Sequence, residues 1–380
     1  MGSRVLVLAS VASMIDQFNM PNIMLLKELG YDVHVACNFI AGNTCSEEQI
    51  ANLKKNLTEV NVKFHQIDFQ RNVMSLRENV KAYKQVHKLV VDNNYKFIHC
   101  HSPIGGVVGR IVGNQTKTKV IYTAHGFHFF KGAPLKNWLM YYPVEKWLAK
   151  KTDVLITINK EDYEIAKKFK ANRIEYVHGV GIDTDKFNNI EVNRSEKRRA
   201  IGVNEDDFMI ISVGELNENK NHRVIIRAIS ELSNEKIKFV LCGQGPLETE
   251  LRKLANELGI EYQVKFLGFR KDIPELMKIA DLFAFPSFRE GLSLSLMEAM
   301  ASGLPVVCSK IRGNVDLIEE GQGGYLIDDN DLEQYKLSIH KLFTNQSLRE
   351  KNGILNKINV KKFDIYNVKN ETEKIYKEGE

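Results

Sequence analysis

Two glutamates, Glu290 and Glu298, bracket the segment of this chain best suited to chemistry. The run Phe285-Pro286-Ser287-Phe288-Arg289-Glu290-Gly291-Leu292-Ser293-Leu294-Ser295-Leu296-Met297-Glu298-Ala299-Met300 closes an apolar strand, turns at a glycine and opens a helix. Ser293 or Ser295 is placed to cap that helix. The backbone N–H groups of Gly291, Leu292 and Ser293 would then form an anion site, reinforced by the helix dipole. Glu290 falls in the turn and Glu298 about one and a half turns into the helix. Carboxylates so spaced can accept from two sets of hydroxyls on one elongated ligand. The plainer reading is a capped amphipathic helix with two solvated glutamates.

Other candidates also follow strands. In Ser212-Val213-Gly214-Glu215-Leu216-Asn217-Glu218-Asn219-Lys220-Asn221-His222, a lysine at a strand-to-helix turn suits a phosphate as a point charge. Cys242-Gly243-Gln244-Gly245-Pro246 reads as a tight turn with close backbone approach. His125 follows the strand ending Tyr122-Thr123-Ala124, and His99 and His101 share one face of another strand. A metal would need further ligands, and none stands out, so no metal and no cofactor are expected. After the first strand, Ser10, Ser13, Asp16 and Asn19 can hydrogen-bond a hydroxylated acceptor. The stretch Phe127 to Pro143 interleaves aromatics with lysines. It suits a bilayer interface, although Trp138, Leu139 and Tyr142 at helical spacing equally suit a core.

The elements that must position these residues alternate twice between strand and helix. Strands are expected over 4–9, 32–37, 97–101, 119–123 and 154–158, with helices over 20–29 and 76–93. After a polar stretch at 188–199 the rhythm restarts. Strands follow over 209–213, 238–242, 264–267, 282–286 and 305–309, with helices over 222–233, 247–258, 273–280, 293–302 and 331–343. This is an α/β protein with two doubly wound, Rossmann-like halves carrying parallel sheets. The expected division is 1–185, 186–362, and a terminal helix over 363–380 packing back on the first half. Ligands of such sheets lie beyond the carboxyl ends of the strands.

The bulk properties narrow the class. The net charge is +5, with lysines mixed among acids rather than gathered on a stripe, so nucleic acid is not an expected partner. No apolar run approaches the ~20 residues of a membrane span. The five cysteines are scattered without a CxxC pair, which points to reduced thiols in a cytoplasmic protein. The opening apolar run reads as a buried strand rather than a signal peptide.

The segment over 286–307, including Ala301-Ser302-Gly303-Leu304-Pro305-Val306-Val307, resembles the E-x7-E element of the retaining GT-B glycosyltransferases of family 4. The resemblance covers nearly the full chain. It implies two Rossmann-like domains facing an interdomain cleft, a nucleotide-sugar donor (UDP-linked hexose or N-acetylhexosamine) and no metal. By resemblance, Glu290 contacts the donor sugar and Glu298 the nucleotide ribose. Gly214 and Lys220 match the family's diphosphate element, but Glu215 stands where an arginine belongs. Arg312 is the candidate replacement cation; alternatively Glu215 positions Lys220. Gly243 matches the Gly-x-Gly-Pro turn, and Phe269 and Arg270 fall where backbone groups read the base. His125 matches the Thr-x-His-Gly histidine at the reaction centre. His101, Ser13 and Asp16 belong to the acceptor side. The first turn lacks the family's paired glycines. The chain is similar to the subgroup acting in bacterial capsule and exopolysaccharide assembly, which implies a lipid-diphosphate-linked sugar, or a soluble glycan, as acceptor. It also implies peripheral contact with the inner face of the cell membrane. A sugar-nucleotide epimerase and a non-catalytic sugar-nucleotide-binding scaffold remain alternatives, the latter on the strength of Glu215.

Overall fold

The computed structural model describes residues 2–42, 46–70, 75–101, 103–328 and 331–378; one of the five cysteines, Cys45, lies outside them. The chain divides into two compact units, residues 1–180 with 366–380, and residues 181–365. The crossing points fall at 180 and 365 rather than at 185 and 362. Ile182 donates to the carbonyl of Phe363 at 3.0 Å and accepts from Ile365 at 2.9 Å, which ties these strands of chain into the second unit.

The first unit runs β1 (Arg4–Val11), α1 (Ala12–Phe18), α2 (Met20–Glu28), β2 (Asp32–Asn38), α3 (Glu47–Glu59), β3 (Lys63–Gln66), α4 (Leu76–Asn93), β4 (Phe97–His101), α5 (Ile104–Thr116), β5 (Lys119–Ala124), α6 (Leu135–Ala149), β6 (Val154–Thr157), α7 (Lys160–Ala166) and β7 (Arg173–Tyr176). The second runs α8 (Thr184–Asn188), α9 (Arg194–Ala200), β8 (Phe208–Val213), α10 (His222–Leu232), β9 (Ile237–Cys242), α11 (Glu248–Glu257), β10 (Val264–Gly268), α12 (Ile273–Ile279), β11 (Leu282–Phe285), α13 (Leu294–Ala301), β12 (Val306–Ser309), α14 (Asn314–Leu317), β13 (Glu319–Glu320), β14 (Gly323–Ile327), α15 (Leu332–Thr344) and α16 (Gln346–Val360). The last helix, α17 (Ile365–Glu378), packs on the first unit, where Val368, Ile375 and Tyr376 join one of its cores.

Among the described residues each unit holds one seven-stranded parallel sheet, ordered β3-β2-β1-β4-β5-β6-β7 and β10-β9-β8-β11-β12-β14-β13. The central strands are buried along their length, with one apolar cluster on each sheet face. Burial on both faces explains why their sequences read as continuous apolar runs. The edge strands β3 and β7 are only partly covered and carry Lys63, His65, Arg173 and Glu175, so no apolar run marks them.

A buried ion pair anchors α6 to the first sheet. Arg110 on α5 has no exposed side-chain surface and forks onto Glu145 of α6 at 2.7 and 3.1 Å. The Tyr122 hydroxyl donates to the same carboxylate at 3.1 Å, and the guanidinium lies 3.8 Å from the Tyr122 ring centre. Removing one partner of such a pair strands a buried charge. Glu145→Ala is therefore expected to destabilise the protein by about 3–5 kcal/mol in urea unfolding. The double change Arg110→Met with Glu145→Leu should recover most of that loss, and equal destabilisation by both would refute the account.

Candidate active site

In the second unit the loops after β8 and β11 meet because those strands are neighbours in the sheet. After β8 the chain makes a 3-10 turn over Glu218–Lys220, started by Asn217, whose side-chain oxygen accepts from the Lys220 N–H at 3.1 Å. Asn219 then joins this turn to the β11 loop twice. Its carbonyl accepts from the Phe288 N–H at 2.8 Å, and its amide donates to the Arg289 carbonyl at 3.0 Å. Lys220 is thereby brought to Glu290, Nζ to Oε1 2.7 Å, with both side chains more than four-fifths buried. The ammonium also lies 4.5 Å from the centre of the Phe285 ring. From the other side Arg312, itself buried, donates from Nε to the Glu290 carbonyl at 3.1 Å. Gly313 has φ +79°, and a Cβ there would lie 2.2 Å from the Gly291 carbonyl oxygen, so only glycine admits this approach.

Ser293 caps α13, accepting from the Leu296 N–H at 3.3 Å, and Ser295 reaches the Ser293 hydroxyl at 3.1 Å. Among the described residues nothing accepts from the N–H groups of Gly291 and Leu292. They stand beside Lys220 and Glu290 at the positive end of a helix dipole, an arrangement able to hold an anion. On the same helix Glu298 is held by burial well above the ordinary carboxylate range, at about 7, with Lys186 pulling the other way. Among the described residues no side chain donates to it. It is a carboxylate suited to accepting hydrogen bonds from hydroxyls.

The turns after β8, β9 and β10 are laced by backbone hydrogen bonds. Gly214 donates to Cys242 at 3.0 Å, Leu216 to Gln244 at 3.0 Å and Gly243 to Gly268 at 2.8 Å. A Cβ on Gly243 would lie 1.8 Å from the Gly214 carbonyl oxygen, which is the steric reason for a glycine there. Phe269 is exposed, and the Arg270 side chain is committed to Asp272 at 2.8 and 2.6 Å, leaving its backbone as the part able to serve a ligand. Glu215 is exposed and accepts from the Asn217 side chain at 2.9 Å. The carboxylate that holds Lys220 is thus Glu290, and Glu215 reaches Lys220 only through the residue that starts its turn.

In the first unit three histidines stack at the carboxyl ends of β4 and β5. His101 Nδ1 and His125 Nε2 are 3.0 Å apart. His99 bonds the Thr123 hydroxyl at 2.9 Å and the Tyr376 hydroxyl of α17 at 2.8 Å, and its ring centre is 4.3 Å from that of His101. Burial lowers all three from the ordinary value: His125 to about 4, His99 to about 3 with His125 adding repulsion, and His101 well down with both neighbours repelling. They are neutral at physiological pH. Among the described residues His101 Nε2 has no partner. An unpaired acceptor is the cheaper orphan, so the shared proton sits on His101 Nδ1 and His125 carries its own on Nδ1. The loop after His125 is fixed by buried Asp162, which accepts from the Phe127 N–H at 3.0 Å. A cavity of ≈ 20 Å³, about the size of one water, lies against His99, Thr123 and His125.

At the first turn β1 slips register between Leu8 and Val11 and passes straight into α1 without an intervening loop. Ser13 and Asp16 therefore share a helix face, Ser13 buried and Asp16 half-buried, the latter's carboxyl raised by burial. Ser10 and Asn19 depart from the expected acceptor role. Ser10 accepts from the Gly105 N–H at 2.9 Å, and Asn19 ties Met14 to Asn22 at 2.9 and 3.1 Å. The residues missed from sequence are Asn219 and Asp162. Both act through backbone groups of a distant loop, and neither stands in a spacing that marks it.

Residues 4–159 match the family described as Glycosyl transferase 4-like, and residues 193–354 match Glycosyl transferases group 1. The chain is 37% identical to the putative glycosyltransferase EpsD of Bacillus subtilis, over 93% of this chain and 91% of that protein. It is 30% identical to the UDP-Gal:alpha-D-GlcNAc-diphosphoundecaprenol alpha-1,3-galactosyltransferase of Escherichia coli, over 77% and 79%. Its fold is shared with Anabaena HepE, solved with UDP and glucose, at a TM-score of 0.78 and 20% identity over 99% and 100% of the two chains. Two family matches that between them take in the second sheet and six of the seven strands of the first, and a relative aligned along nine-tenths of each chain, lead to one conclusion: this chain belongs to the group 1, family 4-like glycosyltransferases of GT-B fold and is a glycosyltransferase.

Proposed function

We propose that this enzyme transfers a hexosyl or N-acetylhexosaminyl group from a UDP-sugar to a lipid-diphosphate-linked sugar in surface-polysaccharide synthesis, retaining the anomeric configuration. The observation that carries the donor half is the Lys220–Glu290 pair beside the N–H groups of Gly291 and Leu292. A diphosphate that takes the Lys220 ammonium releases Glu290, whose carboxylate then turns to sugar hydroxyls. Charge growing on the leaving diphosphate is stabilised by Lys220, the start of α13 and Arg312. Glu298 accepts the ribose hydroxyls. His125, being neutral, hydrogen-bonds the sugar rather than protonating it. Ser13, Asp16 and His101 serve the acceptor. The acceptor half and the UDP base are supported by the Escherichia coli relative, named for transfer from UDP-Gal to GlcNAc-diphosphoundecaprenol. Mass spectrometry of products from a panel of UDP-sugars and lipid-linked acceptors tests the whole reading; transfer from none of them would overturn it.

The ion pair makes the two partners separable. Lys220→Ala should weaken UDP binding by about 10–100-fold, the value of one hydrogen bond to a charged group. Glu290→Gln should leave UDP binding intact, because it frees the lysine, while slowing transfer by a similar factor. Calorimetry and initial rates distinguish them, and parallel losses in both assays would contradict the assigned roles.

The raised Glu298 gives a pH dependence. Ribose hydroxyls donate to the ionised carboxylate, so UDP affinity should rise between about pH 6 and 8, and Glu298→Gln should weaken binding and flatten that rise. Its stability contribution has the opposite sign. The raised value favours the protonated folded form, a contribution present below the ordinary carboxylate range and lost as pH rises through about 7. An unchanged pH profile in Glu298→Gln would exclude the residue from the ribose. Chelation by EDTA is expected to leave transfer unaffected, and a loss restored by Mg²⁺ or Mn²⁺ would refute a metal-free mechanism.

A further inference from the structure

The carboxyl ends of β2 and β3 border a hollow of ≈ 340 Å³ that the candidate site does not use. β2 ends at Asn38 and β3 at Gln66, and β2 is the hydrogen-bonded neighbour of β1. The hollow therefore lies at the same edge of the first sheet as Ser13, Asp16, His101 and His125, the edge where ligands of such sheets bind. Neighbouring strands stand about 4.8 Å apart, so the ends of β2 and β3 are about 5–10 Å from that of β1. A sugar ring with its substituents spans that interval.

Its wall is a polar network whose members hold one another in place. Asn38 is buried and donates to the Phe69 carbonyl at 2.8 Å. Its side-chain oxygen accepts from the Ile40 and Ala41 N–H groups, both at 2.9 Å, and from the Gln66 amide at 3.0 Å. The Gln66 side-chain oxygen accepts from the Phe39 N–H at 2.9 Å, and its amide also donates to Asp68 Oδ1 at 3.1 Å. Helix α4 contributes the remainder. Gln85 accepts from the Asp68 N–H at 2.9 Å and donates to Asp68 Oδ2 at 3.0 Å, and Lys81 Nζ reaches the same oxygen at 2.7 Å. Hydrogen bonds from Lys81, Gln66 and Gln85 hold the Asp68 carboxyl at about 2, so it is ionised at neutral pH. Among the described residues Asp68 Oδ1 has one donor, and the Lys81 ammonium, with three protons, has one acceptor.

The chemistry of this wall selects its ligand. Asp68 and Lys81 neutralise each other and Glu78 adds a further acid, which disfavours a phosphate. A carboxylate oxygen with spare lone pairs beside an ammonium with spare protons matches two adjacent hydroxyls, one donating and one accepting. Ile40, also in the wall, is 79% exposed, an aliphatic side chain suited to the C–H face of a sugar ring. We propose that this hollow is a subsite for the acceptor glycan, in which a hydroxyl pair remote from the attacking hydroxyl donates to Asp68 and accepts from Lys81 while Ile40 covers the ring face. The subsite rests on the proposed glycan acceptor and supplies the groups that tell one acceptor sugar from another. Ser13 and Asp16 serve the reacting edge of the sugar, and Asp68 and Lys81 its far edge. A site built to pair a hydroxyl rejects the analogue that lacks it, because its own polar groups are then left without partners.

Short-tailed lipid-diphosphate-linked N-acetylglucosamine and its monodeoxy analogues probe the subsite in the full chain. Transfer gives the acceptor KM, and saturation-transfer NMR in the presence of UDP gives binding. Asp68→Asn and Lys81→Met should each raise the acceptor KM about 10-fold, the value of one hydrogen bond to a charged group, and leave kcat and UDP affinity unchanged. Ile40→Ser, at an exposed position where folding is not at stake, should raise it about 4-fold, the value of one buried CH₂ group. Removing the hydroxyl that donates to Asp68 should cost the wild type the same factor as Asp68→Asn and cost that variant nothing further, because mutation and deletion break one bond. Additive losses, equal use of every deoxy analogue by the wild type, or a matching loss of UDP affinity would overturn the subsite. If no lipid-linked compound binds or reacts, the same variants are read by NMR on the methyl glycosides of N-acetylglucosamine and N-acetylgalactosamine and their deoxy analogues. Coupled losses there would refute the lipid-linked acceptor and leave the subsite standing, and binding of no saccharide would overturn both.

Discussion

The pairing of β8 with β11 governs what the second unit can do. The order β10-β9-β8-β11-β12 reverses direction at that pair, so the chain leaves β8 toward one side of the sheet and β11 toward the other. Loops that diverge from adjacent strands leave a crevice at their carboxyl ends. Lys220 and Glu290, 70 residues apart in sequence, enter it from its two walls. Asn219 sets their separation by bonding backbone groups of the opposite loop. The first unit repeats the order around β1 and β4, and its candidate residues again follow the strands at and beside the reversal: Ser13 and Asp16 after β1, His101 at the end of β4, His125 after β5.

Charge is managed differently in the two units. Around α13 a cation, a carboxylate and unpaired N–H groups lie within one small region, each partly withdrawn from water. A lysine and a glutamate held together this way neutralise each other, and both remain available to a ligand that carries charge and hydroxyls. Arg312 offers its Nε to the Glu290 carbonyl and so supports the loop that presents that carboxylate. In the first unit the histidines are buried deeply enough to be neutral. Their chemistry is hydrogen bonding, within a stack whose contacts reach as far as Tyr376 on the last helix. The docking of α17 on the first unit therefore bears on the geometry of the histidine stack as well as on stability.

Helix α5 shows packing overriding local preference. Four of its residues are glycines, which by propensity should break it. A Cβ at Gly106 would lie 2.4 Å from the Tyr122 ring, at Gly109 2.7 Å from Cys100 and at Gly113 2.2 Å from Val120. These glycines form one stripe at helical spacing, and they let the helix lie directly on β4 and β5. That close seat is also what brings Arg110 over the Tyr122 ring and onto Glu145, so the position of α6 follows from it.

Much of this was determined by the sequence itself. Strands buried on both faces must be continuous apolar runs, so β1, β2, β4, β5 and the central strands of the second sheet could be read without coordinates, and with them the parallel α/β class. The helix start at Ser293, the glutamates on either side of it and the lysine after β8 were legible because capping and strand-to-helix turns are local events with fixed residue types. The edge strands β3 and β7 were not, since half-covered strands need no apolar run, nor was the glycine-rich α5, whose helix exists only against β4 and β5. Tertiary structure alone decided that Lys220 pairs with Glu290 rather than Glu215, that Ser10 and Asn19 are spent on the backbone, and that Leu139 faces out while Phe129 faces in. Each of these is a choice among partners distant in sequence, and spacing along a chain carries no information about which of two equally suitable groups the fold will bring within 3 Å.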